Sequence, residues 1–152
     1  MSCIDSTRGM WSIHGRQEIR INMKKLFAFA ALAIATVAGA AFAAEGYSIA
    51  VRGGAGKVNE KITSTITVTA TGDHHVNKEY PHKVLLTAPE GVTVDAKVMG
   101  VVASDTTLTF TVVSTHASAG AKAIAGEVKF GTCTASSCML AAEKVTINAT
   151  AQ

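Results

Sequence analysis

Lys61-Ile-Thr-Ser-Thr-Ile-Thr-Val-Thr-Ala70 is the stretch that decides the fold. Ile62, Ser64, Ile66, Val68 and Ala70 fall on one face, and Thr63, Thr65, Thr67 and Thr69 on the other. A period of two in β-branched residues predicts a half-buried strand, because successive side chains of an extended chain point to opposite sides. The same pattern recurs downstream. Leu108, Phe110 and Val112 alternate with Thr107, Thr109 and Thr111; Ile124, Gly126, Val128 and Phe130 with Ala125, Glu127 and Lys129; Val145, Ile147 and Ala149 with Lys144, Thr146 and Asn148. Weaker strand patterns cover Tyr47–Val51, Lys83–Ala88, Val92–Val94 and Lys97–Val102. Turn residues separate them at Gly53-Gly54-Ala55-Gly56, Thr71-Gly72-Asp73, Pro89-Glu90-Gly91, Ser104-Asp105 and Ser118-Ala119-Gly120. No stretch carries a helical stripe. About seven or eight short strands at this spacing predict an all-β fold, an immunoglobulin-like antiparallel β-sandwich, with a small barrel as the alternative.

The β pattern begins only after residue 44. Upstream, Met23-Lys24-Lys25 precedes an uncharged run from Leu26 to Ala43, and Ala41-Phe42-Ala43 has the small-x-small form of a cleavage site. Residues 23–43 therefore read as a cleavable signal peptide, cut between Ala43 and Ala44. A membrane anchor is the competing reading, since Leu26–Ala44 is 19 residues. The run is alanine-rich, however, and no basic stop-transfer cluster follows it. Residues 1–22 are polar and charged, do not fit ahead of a leader, and read as lying outside the protein, with Met23 its start. The expected organisation is a β-sandwich domain over residues 44–152, exported to the periplasm, with no membrane span once the leader is removed.

Residues 44–152 contain nine Lys or Arg and nine Asp or Glu, so the formal charge of +3 belongs to the upstream segment. With no basic stripe and no aromatic stacking platform, nucleic acid is excluded as a partner class. About 109 residues suffice for one domain with a single core.

Cys133-Thr-Ala-Ser-Ser-Cys138 carries the most chemistry. It sits between two strand patterns, roughly residues 123–131 and 140–149. A four-residue loop there sets the two cysteines opposite each other, with Cα atoms about 4.5–5.5 Å apart, within reach of a disulfide. Two uses remain open. A structural staple closing so short a loop adds about 2 kcal/mol by the loop-length model. A redox-active pair is the other use, because short, exposed disulfides are the labile ones; Lys129 and Lys144 on the flanking strands are candidate neighbours for a thiolate.

The segment Lys129-Phe130-Gly131-Thr132-Cys133…Cys138…Glu143-Lys144-Val145, preceded by His75-Val76-Asn77-Lys78-Glu79-Tyr80-Pro81 and by Leu85–Val94, resembles the N-terminal periplasmic domain of the DsbD family of thiol–disulfide interchange proteins. The resemblance runs from about Tyr47 to Ala149. It implies an immunoglobulin-like domain that relays electrons between membrane-embedded and periplasmic thiol–disulfide proteins, with Cys133 and Cys138 as the catalytic residues. The family's longer, aromatic-rich cysteine segment is replaced here by Thr-Ala-Ser-Ser, and its membrane and thioredoxin-like domains have no counterpart in this sequence.

His74, His75, His82 and His116 read as solvent-exposed loop residues. A soft copper site from Cys133, Cys138, Met139 and a histidine is a further alternative; the spacing fits no zinc pattern. No hydrolase elbow, phosphate loop or metalloprotease motif is present, and no cofactor is implied. The sequence thus points first to a thiol–disulfide oxidoreductase domain, then to a non-enzymatic protein-interaction domain with a structural disulfide, then to a copper module.

Overall fold

The computed structural model describes residues 39–152. The readings of residues 1–22 and of most of the leader lie outside the described residues. Twelve strands follow one another: β1 (Ala40–Ala44), β2 (Tyr47–Arg52), β3 (Ala55–Gly56), β4 (Lys61–Ala70), β5 (His75–Val76), β6 (Lys83–Thr87), β7 (Val92–Val94), β8 (Lys97–Met99), β9 (Val101–Val102), β10 (Thr107–His116), β11 (Gly120–Cys133) and β12 (Cys138–Ala151). They form two sheets, the β-sandwich the alternation predicts. One runs β1-β2-β4-β10-β7, with β9 also on β10; the other runs β3-β12-β11-β6-β8, with β5 also on β11. Among the described residues no helix is long and apolar enough to cross a membrane.

The alternation reads directly into the layers. Ile62, Ile66 and Val68 of β4 and Leu108, Phe110 and Val112 of β10 are buried, and they meet Ile124, Val128, Phe130, Val145 and Ile147 of the facing sheet. Their threonines point outward, Thr109 beside Thr67 and Thr111 beside Thr65 across the ladder. Tyr47 ties the sheets at one end. Its ring stands edge-on to Phe130, centroids 4.8 Å apart, and its hydroxyl donates to Glu143 Oε1 at 2.6 Å. Burial and the adjacent carboxylate push the Tyr47 hydroxyl up to about 12.

Three segments depart from the sequence reading. Gly53–Gly56, expected to be a flexible turn, is docked, and its second half pairs in parallel with the end of β12. Lys97–Val102, expected to be one strand, is broken at Gly100: β8 pairs with β6 in one sheet and β9 with β10 in the other. A side chain at residue 100 would run into Leu108, Phe110 and His82. The last two long strands extend further than the alternation alone marks, to Cys133 and from Cys138. The expected count of seven or eight strands is exceeded by β1, by the two-residue strands β3 and β5, and by the division of Lys97–Val102 into β8 and β9. β1 pairs with β2 while every one of its residues stays exposed; it adds backbone pairing and nothing to the core.

Gly53 is where this packing is least forgiving. A Cβ there would collide with the carbonyl of Asn148 on β12, whose backbone is held in the β11–β12 ladder. Gly53→Ala should cost about 1–3 kcal/mol, the range for forcing extra volume into a close-packed site. Urea unfolding of the purified domain will measure this as a lower midpoint at unchanged slope.

Candidate functional site

The β11–β12 ladder ends with Cys133 opposite Cys138, and the two are joined as a disulfide with Cα atoms 3.9 Å apart. The closeness has a local cause. The Thr134 N–H donates to the Ser137 carbonyl at 2.7 Å, so Thr134 and Ser137 form the hydrogen-bonded rung. The cysteines take the next rung, a non-hydrogen-bonded one, where antiparallel strands approach to about 4.5 Å; the observed distance is shorter still. The loop keeps its shape through Thr134 Oγ1, which accepts the N–H groups of Ser136 at 3.3 Å and Ser137 at 3.2 Å.

The two sulfur-bearing residues are not equivalent. Cys133 is 6% exposed, whereas Cys138 is exposed. Cover for Cys133 comes from β5, whose His75 lies directly across from it and whose Val76 lies across from Thr132. The chain then turns over the outer face of the sheet. Glu79 N–H donates to Asn77 Oδ1 at 3.0 Å, and Tyr80 N–H to the Asn77 carbonyl at 3.3 Å. Gly131 is the floor beneath this turn: a Cβ there would sit 3.1 Å from Leu140 Cδ2, 3.4 Å from Asn77 Cβ and 3.5 Å from Tyr80 Cβ. The chain runs on through Tyr80-Pro81 into β6.

Beside the disulfide runs a groove lined by His75, Asn77, Lys78, Glu79, Asp105 and Cys133. Lys78 Nζ lies 2.6 Å from Asp105 Oδ1, and its hydrogen bond and then its charge hold the Asp105 carboxyl below the usual range, with a weaker contribution from His75. On the other flank Leu140 is 63% exposed and Met139 37% exposed, next to Cys138.

His82 is the strut of the site. It is buried, not solvent-exposed as its sequence context suggests. Its Nε2 is 2.7 Å from the Asn77 carbonyl and must donate; its Nδ1 accepts the Gly131 N–H at 3.4 Å. That pair of partners fixes a neutral imidazole in one tautomer. Burial lowers its pKa, and the Asn77 carbonyl opposes the shift. His116 corrects the same expectation. It is fully buried at the far end of β10, with Nε2 3.2 Å from Ser114 Oγ and Nδ1 without a partner. Its pKa too is lowered, by burial and then by Lys122.

Other expected neighbours are absent from the disulfide. Lys129 pairs with Ala142 and approaches Glu127 at 3.4 Å. Lys129 is four residues up β11 from Cys133, about 13 Å at strand rise, and Lys144 lies farther along β12. The copper set does not assemble. Met139 is opposite Thr132 and so leaves the sheet on the face away from Cys138, and among the described residues no group of three or more His, Cys, Asp or Glu side chains is arranged to hold a metal ion. Conversely, Lys78 and Asp105 belong to the site although nothing in their sequence spacing marks them. They meet because the Val76 N–H donates to the Asp105 carbonyl at 2.7 Å, a long-range pairing.

No family model and no curated protein sequence matches the chain. Solved structures do. The GAE domain of GGA2p from Saccharomyces cerevisiae superposes with a TM-score of 0.47 at 13% identity, over 72% of this chain and 97% of that one. The N-terminal periplasmic domain of ScsB from Proteus mirabilis gives 0.46 at 8% identity, over 74% of this chain and 50% of that one. AggA, the major subunit of aggregative adherence fimbriae type I from Escherichia coli, gives 0.38 at 11% identity, over 70% of this chain and 94% of that one.

The two buried histidines set a pH dependence. Each has a folded pKa below its unfolded value, so the unfolded chain binds more protons in the window between the two. Stability is therefore full above about 6.5 and falls as pH drops below it, until the folded pKa is reached. The melting temperature should decline between about pH 7.5 and pH 5. His82→Gln, which retains a donor and an acceptor but cannot charge in this range, should reduce the slope; a slope unchanged in the variant would remove His82 from the account.

Proposed function

We propose that this domain carries out thiol–disulfide exchange through Cys133 and Cys138. The observation that carries the reading is the asymmetry at the hairpin tip: a disulfide with one cysteine exposed and the other buried under a turn. A staple needs no accessible member, and the loop it would close is already held by Thr134 and Ser137. An exchanging pair requires one sulfur that a partner can reach along the line of the bond. Cys138 meets that need, and the exposed Leu140 beside it supplies apolar contact for a docking protein.

In this scheme a partner thiolate attacks Cys138 Sγ, the intramolecular bond breaks, and Cys133 leaves as the thiolate. A mixed disulfide now joins Cys138 to the partner. The partner's second thiolate then attacks its own sulfur in the mixed disulfide, which oxidises the partner to a disulfide and releases Cys138 as a thiolate; electrons pass on when that thiolate attacks the next partner's disulfide and Cys133 resolves it. Partners of this chemistry are exported or membrane-held thiol–disulfide proteins, in keeping with the likeness of the cysteine hairpin to the DsbD family. The domain would act after export, with Met23–Ala43 serving as the leader.

Equilibration against glutathione buffers tests the exchange. A reduction potential above about −250 mV is expected, whereas a value below about −300 mV would make the bond structural. In cells, Cys133→Ser should accumulate mixed disulfides through Cys138, and Cys138→Ser should accumulate few. The leader is checked separately: the exported protein should have Ala44 at its N-terminus, read by intact mass.

A further inference from the structure

We propose that His75 is the acid–base partner of Cys133, the residue that delivers and removes its proton during exchange. The inference rests on the redox reading above and adds to it a group outside the cysteine pair. Three observations support it. First, His75 and Cys133 are direct partners across the β5–β11 ladder, so their side chains leave the sheet on the same face with Cβ atoms about 4.5–5.5 Å apart. Second, the outer face is the one that carries the disulfide: Val76 and Thr132, the neighbouring pair, are buried on the inner side. Third, His75 is exposed and lines the same groove as Cys133 and Asp105.

The charged groups that share the groove are Lys78, Glu79 and Asp105, and His75 is the titratable residue directly across from Cys133. From the Asn77–Tyr80 turn come Lys78 and Glu79, and from the turn before β10 comes Asp105. Lys78 is paired with Asp105. On β12 the rungs beside Cys133 carry Cys138, Met139 and Leu140, none of them charged. His74 is paired with Asp73 at 3.3 Å and packs against Gly46. His82 is spent on two backbone partners. Asp105 lines the same groove as His75 and Cys133.

The chemistry balances. When a partner thiolate attacks Cys138, the S–S bond breaks and its electron pair goes to Cys133 Sγ. The adjacent imidazolium stabilises that thiolate and transfers its proton to it, which makes Cys133 a better leaving group beneath a turn where water is scarce. In the resolving direction the neutral imidazole takes the proton back, and the Cys133 thiolate attacks the mixed disulfide. Histidine suits both halves because its charge changes near neutral pH.

The test is a pH titration of the Cys133 thiol, followed by thiolate absorbance in the Cys138→Ser protein, with and without His75→Gln. Loss of a neighbouring imidazolium should raise the midpoint by about 1 or more, and His74→Gln should leave it in place. A parallel NMR titration of the unsubstituted protein guards against a variant that does not fold: the His75 ring should titrate at higher pH in the reduced protein than in the oxidised one. If neither midpoint moves, the pairing is overturned, and an unchanged exchange rate in His75→Gln would confirm that while leaving the exchange reading intact. If both midpoints move but the pair exchanges with no thiol pool, the redox reading falls and the His75–Cys133 coupling stands.

Discussion

The register of β11 against β12 is the constraint from which the rest of the site follows. Fourteen successive rungs join the two strands. They are fixed by the inward side chains Ile124, Val128, Phe130, Val145 and Ile147, all in the core. A slip of one residue would turn every one of these to water, a penalty of about 1.5–3 kcal/mol for each large apolar side chain exposed. The cysteines contribute nothing to that choice, yet their opposition is its consequence: with the core set as it is, Cys133 meets Cys138 on the last rung, on the outer face, next to the loop. Chemistry at the tip is thus placed by packing about 10–30 Å away along the strands.

Around this rung the structure spends polar groups with care. The Asn77 carbonyl receives His82, the Asn77 side chain caps the turn at Glu79, and the Asn77 N–H reaches the Gly131 carbonyl at 2.9 Å. One asparagine therefore binds the covering turn, the strut and the floor. His82 holds the far side of the same arrangement only while it is neutral, since a proton on Nδ1 would turn the acceptor for Gly131 N–H into a donor facing a donor. The cover over Cys133 is accordingly tied to backbone partners rather than to the disulfide, and it does not need the S–S bond to stay in place.

Much of the fold was legible in the sequence. The alternation in β4, β10, β11 and β12 is undiluted, so the residues predicted to face inward do so, and the cysteine loop could be placed between two strands from Gly131 and the small residues after Cys133. What escaped has a common physical origin. β3 and β5 are two-residue pairings, too short for any period to show, and Gly53–Gly56 looks like a loop because its order comes from contact with β12. Two histidines were misread because burial is not a property of a residue's neighbours in sequence: His82 and His116 are buried by elements tens of residues away. The lysines failed for the opposite reason, since proximity in sequence on a strand is distance in space at about 3.4 Å per residue.

The break at Gly100 has a mechanical meaning. Three residues before it hydrogen-bond into one layer and two after it into the other, with the Gly100 N–H anchored on the His82 carbonyl at 3.0 Å. Sheets held only by apolar side chains can slide over one another, because dispersion and hydrophobic contacts have no preferred direction. A strand that changes layers acts as a rivet against that shear, and here the rivet is set in the backbone of the residue that props up the hairpin end. Force applied at Cys138 by a docked protein would therefore load both layers together, and the sandwich would respond as a single stiff body.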